Sequence, residues 1–155
     1  MIYTHFSALI PFYDAYGQNA TSVILKDGSR ESLNCSIKNY IHTMLYKLHL
    51  DPKAINFWTH SVLGTKLNTP LIIDEELILI PIKFRKSVSK QDGCFGYISL
   101  DDIQGIEDNC IILATGEVLQ TLTPKSYVLK KQKDAALLSY AYTDYKKQFE
   151  FMWKG

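Results

Sequence analysis

Apolar positions along this chain keep two different rhythms. From Thr4 to Ile10 most residues are apolar until Pro11 closes the run, and Ser22 to Lys26 is a second short β-rich run that breaks at Asp27-Gly28. Two strands with turns are predicted there. From Ser36 the spacing changes: Ile37, Tyr40, Ile41, Met44, Leu45 and Leu48 recur at steps of three and four. That is one buried face of a helix, with Ser36 in a capping position and Asp51-Pro52 as its stop. Ala54 to Lys66 is less periodic and leads to a turn at Asn68-Thr69-Pro70.

Past that turn β-rich runs dominate: Leu71 to Ile73, Glu76 to Phe84, Cys94 to Leu100, Asn109 to Ala114 and Glu117 to Leu122. They are separated by Asp74-Glu75, the polar loop Arg85 to Gly93, the stretch Asp101 to Asp108, and Thr115-Gly116. The last join is short enough for a tight hairpin, so Cys110 to Leu113 and Val118 to Leu122 are expected to pair antiparallel. Thr123-Pro124 then opens a long helix, since proline is favoured at a first helical position. Val128, Ala135, Leu138, Tyr142, Tyr145 and Phe149 fall on one stripe, with Lys130, Lys131, Lys133, Lys146 and Lys147 expected largely elsewhere. The pattern predicts an α+β fold, mostly antiparallel sheet, with one helix in the N-terminal half and a long C-terminal helix. At 155 residues it reads as a single domain, residues 1–155, with possible sub-halves 1–66 and 67–155.

Composition removes several classes. A chain that is 46% hydrophobic and 12% aromatic is not disordered. Its most apolar stretch, Glu76 to Phe84, is far shorter than a membrane-spanning helix and is closed by Lys83, Arg85 and Lys86. The start lacks a basic region followed by an apolar run, so a cytoplasmic location is expected. Cys35, Cys94 and Cys110 are odd in number and far apart, which argues for thiols in a reducing compartment. No enzyme motif is present, and no metal or cofactor is expected. His42 and His49, seven apart and close to one face of the first helix, read as a surface pair, and Cys94 as a packing thiol.

Charge distribution says more than the net charge of +1. Lys83, Arg85, Lys86 and Lys90 lie in a stretch without an acid, and Lys125, Lys130, Lys131 and Lys133 open the last helix. Acids gather instead at Asp74 to Glu76 and Asp101 to Asp108. Basic patches on a near-neutral protein suit phosphate-backbone binding, because each neutralised phosphate releases condensed counterions. Those eight residues are the candidate DNA contacts.

The order of segments from Pro70 onward resembles the family of the competence transcription factor ComK. The resemblance is carried by Thr69-Pro70-Leu71-Ile72-Ile73-Asp74, Leu77-Ile78-Leu79-Ile80-Pro81 and Cys94-Phe95-Gly96-Tyr97-Ile98-Ser99. A hairpin around Gly116 follows, then Ser126 with Gln132, Ala135 and Leu138 in a helix. Ala8-Leu9-Ile10-Pro11, the Asp27-Gly28 turn and Cys35-Ser36 extend it over most of the chain. It implies a nucleoid-associated activator of DNA-uptake genes that binds A/T-rich double-stranded DNA as a homo-oligomer and is turned over by an adaptor-protease system. A/T-rich minor grooves concentrate negative potential, which favours Arg85 and its lysine neighbours as readers. The aromatic stripe Tyr142, Tyr145, Phe149 and Trp153 is the expected seam between copies. Two departures stand out: Leu50 to Ile55 lacks the Gly-Arg segment of the family, and the chain stops at Gly155, where a longer basic tail is expected.

Tyr97 to Leu138 is also similar to the LytTR DNA-binding domain. The competing class is a protein-protein interaction module that uses the Tyr-rich helix.

Overall fold

The computed structural model describes residues 2–86 and 93–154, with side chains as far as Phe149. The apolar run after Thr4 becomes β1 (Ala8–Tyr13), which runs on through Pro11 instead of closing there; β2 (Asn19–Ile24), three residues earlier than expected, and β3 (Arg30–Leu33) follow in an antiparallel meander. β3 had no hydrophobic signal because Arg30, Glu31 and Ser32 are exposed on the edge of the sheet, where charged side chains discourage further pairing. Helix α1 (Ile37–Lys47) starts as its periodicity predicts, with the Ser36 hydroxyl accepting a hydrogen bond from the Asn39 amide.

Asp51-Pro52, expected to stop that helix, starts another. Asp51 caps α2 (Pro52–Leu63) by accepting from the Lys53 amide, and Gly64 closes it in the left-handed conformation. Proline fits the first turn of a helix as well as the position after one, so the dipeptide marks a boundary without saying which side is helical. The N-terminal half therefore has two helices. His49, expected on the first helix, lies beyond it with φ 59°.

β4 (Leu71–Asp74), β5 (Leu77–Lys83) and β6 (Phe95–Ser99) complete a six-stranded antiparallel sheet in the order β3-β2-β1-β6-β5-β4. Strands from either side of residue 66 thus meet at the β1–β6 pair. A 3-10 turn, Leu100–Asp102, leads into a three-stranded sheet of β7 (Ile103–Glu107), β8 (Cys110–Leu113) and β9 (Val118–Gln120). The expected hairpin is present, with Cys110 opposite Gln120 and Ile112 opposite Val118, and with Gly116 at φ 90° in its turn. β7 lies in the stretch Asp101 to Asp108 that read as a connection. Its alternation is broken by Gly105, where the register with β8 shifts. Helix α3 (Lys125–Lys154) ends the chain.

The main sheet carries a hydrophobic cluster on each face. Leu9, Val23, Leu77 and Leu79 pack with Phe6, Tyr40, Met44 and Leu45 under α1. On the other face Ile24, Ile78, Ile80, Ile82 and Ile98 pack against Ile111 and Leu113 of the small sheet and against Val128, Ala135 and Leu138 of α3. This is why β5 reads as a continuous apolar run instead of an alternating one. Together these elements make an α+β fold with a long C-terminal helix. Among the described residues no helix is long and apolar enough to cross a membrane.

Candidate nucleic-acid interface

Lys83 is the last residue of β5, and its main chain is stitched to the segment before α3. Its amide donates to Thr123 Oγ1 at 3.0 Å, while its carbonyl accepts from the Leu122 amide at 2.8 Å and from the Thr123 hydroxyl at 3.1 Å. Thr123 is only 3% exposed, so these bonds are shielded from water. Pro124 and Lys125 follow at once, and the Lys125 amide donates to Asp108 Oδ1 at 2.7 Å, which satisfies one of the open N–H groups at the start of α3. Two basic segments distant in sequence, the end of β5 and the first turns of α3, therefore adjoin.

The eight candidate contacts divide by environment. Lys83, Lys86, Lys130 and Lys133 are exposed and Lys125 is half-buried. Lys130 pairs with Asp134 at 3.2 Å, an i,i+4 contact on the helix surface worth a few tenths of a kcal/mol. Lys83, Lys86, Lys125 and Lys133 have no acid within ion-pairing distance among the described residues. Lys90 lies outside the described residues.

Lys131 departs from the expected solvent-facing arrangement. It is 5% exposed, with Nζ near the Leu67 carbonyl oxygen and over the Tyr127 ring. Burial lowers its pKa from the ordinary lysine value, and the neighbouring Lys130 adds to this while Asp134 opposes it. The reason is helical phase: Lys131, Ala135, Leu138 and Tyr142 step by four, three and four, so this lysine belongs to the core stripe.

Arg85 is likewise held within the chain. Its guanidinium carbon lies 3.9 Å from the centre of the Tyr13 ring, Nε donates to the Gly93 carbonyl at 2.7 Å, and one Nη donates to Asn19 Oδ1 at 2.6 Å. The other, Nη1, is buried with no acceptor among the described residues. The expected minor-groove reader is thus built into the wall of a cavity of about 560 Å³, together with the first residues of α1 and with Cys94. A second cavity of about 380 Å³ lies between α2 and the segment Lys66 to Leu71, and Phe95 and Tyr97 line both. Sequence reasoning missed this groove: Lys38, His60 and Lys66 are separated along the chain, and only the fold brings them around one piece of sheet.

The expected seam between copies is partly used within the chain. Tyr142 and Tyr145 pack on Trp58 of α2, with ring centres 5.9 and 6.3 Å away. Phe149 is 51% exposed, and the Trp153 side chain lies outside the described part of the chain. Cys35, Cys94 and Cys110 are half-buried thiols, and no group of three or more possible metal ligands occurs among the described residues. Compared with models of known families, with curated proteins and with solved structures, the chain has no match.

Proposed function

We propose that this protein is a DNA-binding transcriptional regulator that holds A/T-rich duplex where the end of β5 meets the start of α3. The observation that carries the reading is the stitch between Lys83 and Thr123. It sets the end of β5, with Lys83 and then Lys86, beside the start of α3, which carries Lys125 and then Lys130 and Lys133; of these only Lys130 has an acid partner among the described residues. Lysines on the first turns of a helix, next to a strand end, suit contact with successive phosphates of one backbone. The resemblance to the ComK family supports the same reading and adds A/T preference, activation of DNA-uptake genes, self-association and adaptor-controlled turnover. Arg85 and Lys131, both held within the chain, are left out of these proposed duplex contacts.

The test is binding to a pool of random duplexes at two salt concentrations, followed by sequencing. Enrichment of A/T-rich sequences, with an affinity that falls steeply with salt, supports the reading. Salt-insensitive or absent binding overturns it.

A second reading, a protein-protein interaction module, is favoured by one observation. Leu129, Leu137 and Tyr140 are 40, 49 and 77% exposed on the outer side of α3. An apolar stripe of this kind suits a partner helix or a second copy. Sedimentation of the free protein and of its complex with a long duplex separates a self-associating regulator from a monomeric one.

A further inference from the structure

α1 covers only part of its face of the main sheet, and the remainder forms a groove. Pro81 and Tyr97 are cross-strand partners on β5 and β6, and with Phe95 and Pro11 they floor the two cavities described above. The floor is apolar and carries two half-buried aromatic rings. A cation stands at each end: Lys38 and Arg85 line one cavity, and Lys66 lines the other beside the imidazole of His60. Among the described residues no aspartate or glutamate lines either of them.

We propose that this groove binds a short stretch of single-stranded nucleic acid, with a base on Phe95 and Tyr97 and its flanking phosphates met by Arg85 with Lys38 and by Lys66 with His60. Three features fix the chemistry. Stacking needs an unpaired base, since in a duplex each base face is already covered by its neighbours, whereas proteins that bind single strands combine aromatic platforms with a positive groove. Arg85 has an orphaned Nη1 while its Nε and Nη2 are held and its plane lies on Tyr13. That leaves one donor of a fixed guanidinium without a partner among the described residues, and an anion is the strongest acceptor it can take. The start of α1 adds the positive end of a helix dipole at the same cavity. A free nucleotide has its phosphate on one side only. Cations on both sides of the aromatic floor match a strand, which carries a phosphate before and after each base. The site is separate from the proposed duplex contacts on α3, so each can fail alone.

Fluorescence anisotropy of the full chain with a short labelled oligothymidylate, at low ionic strength, tests this. Saturable binding is expected, weakened about 5- to 100-fold by Phe95→Leu, the loss that removing one stacked base gives. Lys66→Gln, at an exposed position that does not depend on core packing, is expected to weaken it by about fivefold. It keeps the test valid if Phe95→Leu does not fold. Lys130→Gln with Lys133→Gln should leave this affinity unchanged while lowering that for duplex. Absence of saturable binding by the unaltered chain, or affinity indifferent to both groove variants, overturns the proposal. So does competition by thymidine monophosphate as effective as that by the unlabelled oligonucleotide at equal phosphate concentration.

Discussion

The ammonium of Lys131 lies 5.2 Å from the centre of the Tyr127 ring one turn earlier on α3, and 3.5 Å from the carbonyl oxygen of Leu67. A π-face and one carbonyl replace the water that an exposed lysine would keep. Both are weaker partners than a carboxylate for a charge that is 5% exposed.

Lys131→Met keeps the length of the side chain and removes the buried charge. It is expected to raise stability at pH 7 by about 1 kcal/mol. Because folding lowers this pKa, the unfolded chain binds the proton more tightly, and the handicap of the wild type is fully present below the folded pKa. It shrinks as pH rises through that value and is gone above about 10.5, where the unfolded chain also loses the proton. Urea denaturation at several pH values should therefore show the two proteins converging in alkali. A variant less stable than the wild type at pH 7 would mean that the Tyr127 and Leu67 contacts outweigh desolvation.

The same burial separates Lys131 from its neighbours in DNA binding. Lys130→Gln with Lys133→Gln should lower the slope of log affinity against log salt by about 2, roughly 0.9 for each phosphate that is no longer neutralised. Lys131→Met should leave the slope unchanged. Duplex titrations at four salt concentrations decide it, and a slope that responds to Lys131 alone would put the DNA on the opposite side of α3.

Tyr40 sets an alkaline limit. Its hydroxyl donates to the Tyr3 carbonyl at 2.7 Å and accepts from the Tyr3 amide at 2.8 Å, and burial pushes its pKa up to about 12. Tyr127, also through burial, is pushed up to about 12. Between about 10 and about 12 the unfolded chain loses these protons and the folded chain keeps them, so stability is fully present below 10 and falls through that window. Tyr40→Phe should lose about 1 kcal/mol at pH 7 with its hydrogen bonds, and its stability should fall less steeply in alkali. Denaturation midpoints with tyrosinate absorbance provide the measurement.

Gly96 tolerates no side chain. A Cβ there would overlap the Leu9 carbonyl oxygen and come within 2.9 Å of the Phe84 ring. Since the obstructing oxygen belongs to the backbone of a paired strand, it cannot yield, and Gly96→Ala should destabilise by more than about 3 kcal/mol. Thermal denaturation measures the loss, and a variant within about 1 kcal/mol of the wild type would mean that the β1–β6 pair opens to admit the side chain.

Elements with an unambiguous rhythm were legible. β5, β6, the β8–β9 hairpin, α1 and α3 all lie where periodicity predicts them, because each buries a stripe or a whole strand. The misses have physical causes. β3 is exposed and polar, β7 is interrupted by Gly105, and α2 packs Ile55, Trp58, Val62 and Leu63 on the core shared by the main sheet and α3, while its polar Asn56 and His60 line a cavity. At the candidate site the two lysine-rich segments were visible as charge runs, but their adjacency depends on hydrogen bonds between Lys83 and Thr123 that no local pattern encodes. Lys131 was readable in principle from its phase with Ala135, Leu138 and Tyr142.

Both strand prolines stand just past the end of a ladder with a neighbouring strand. The β1–β6 ladder stops at Leu9 opposite Tyr97, short of Pro11, and the β4–β5 ladder stops at Leu71 opposite Leu79, short of Pro81. Neither proline can donate a main-chain hydrogen bond there. A peptide strand laid against either proline would lose a ladder bond there. Recognition over the groove therefore falls to side chains that rise from the face of the sheet.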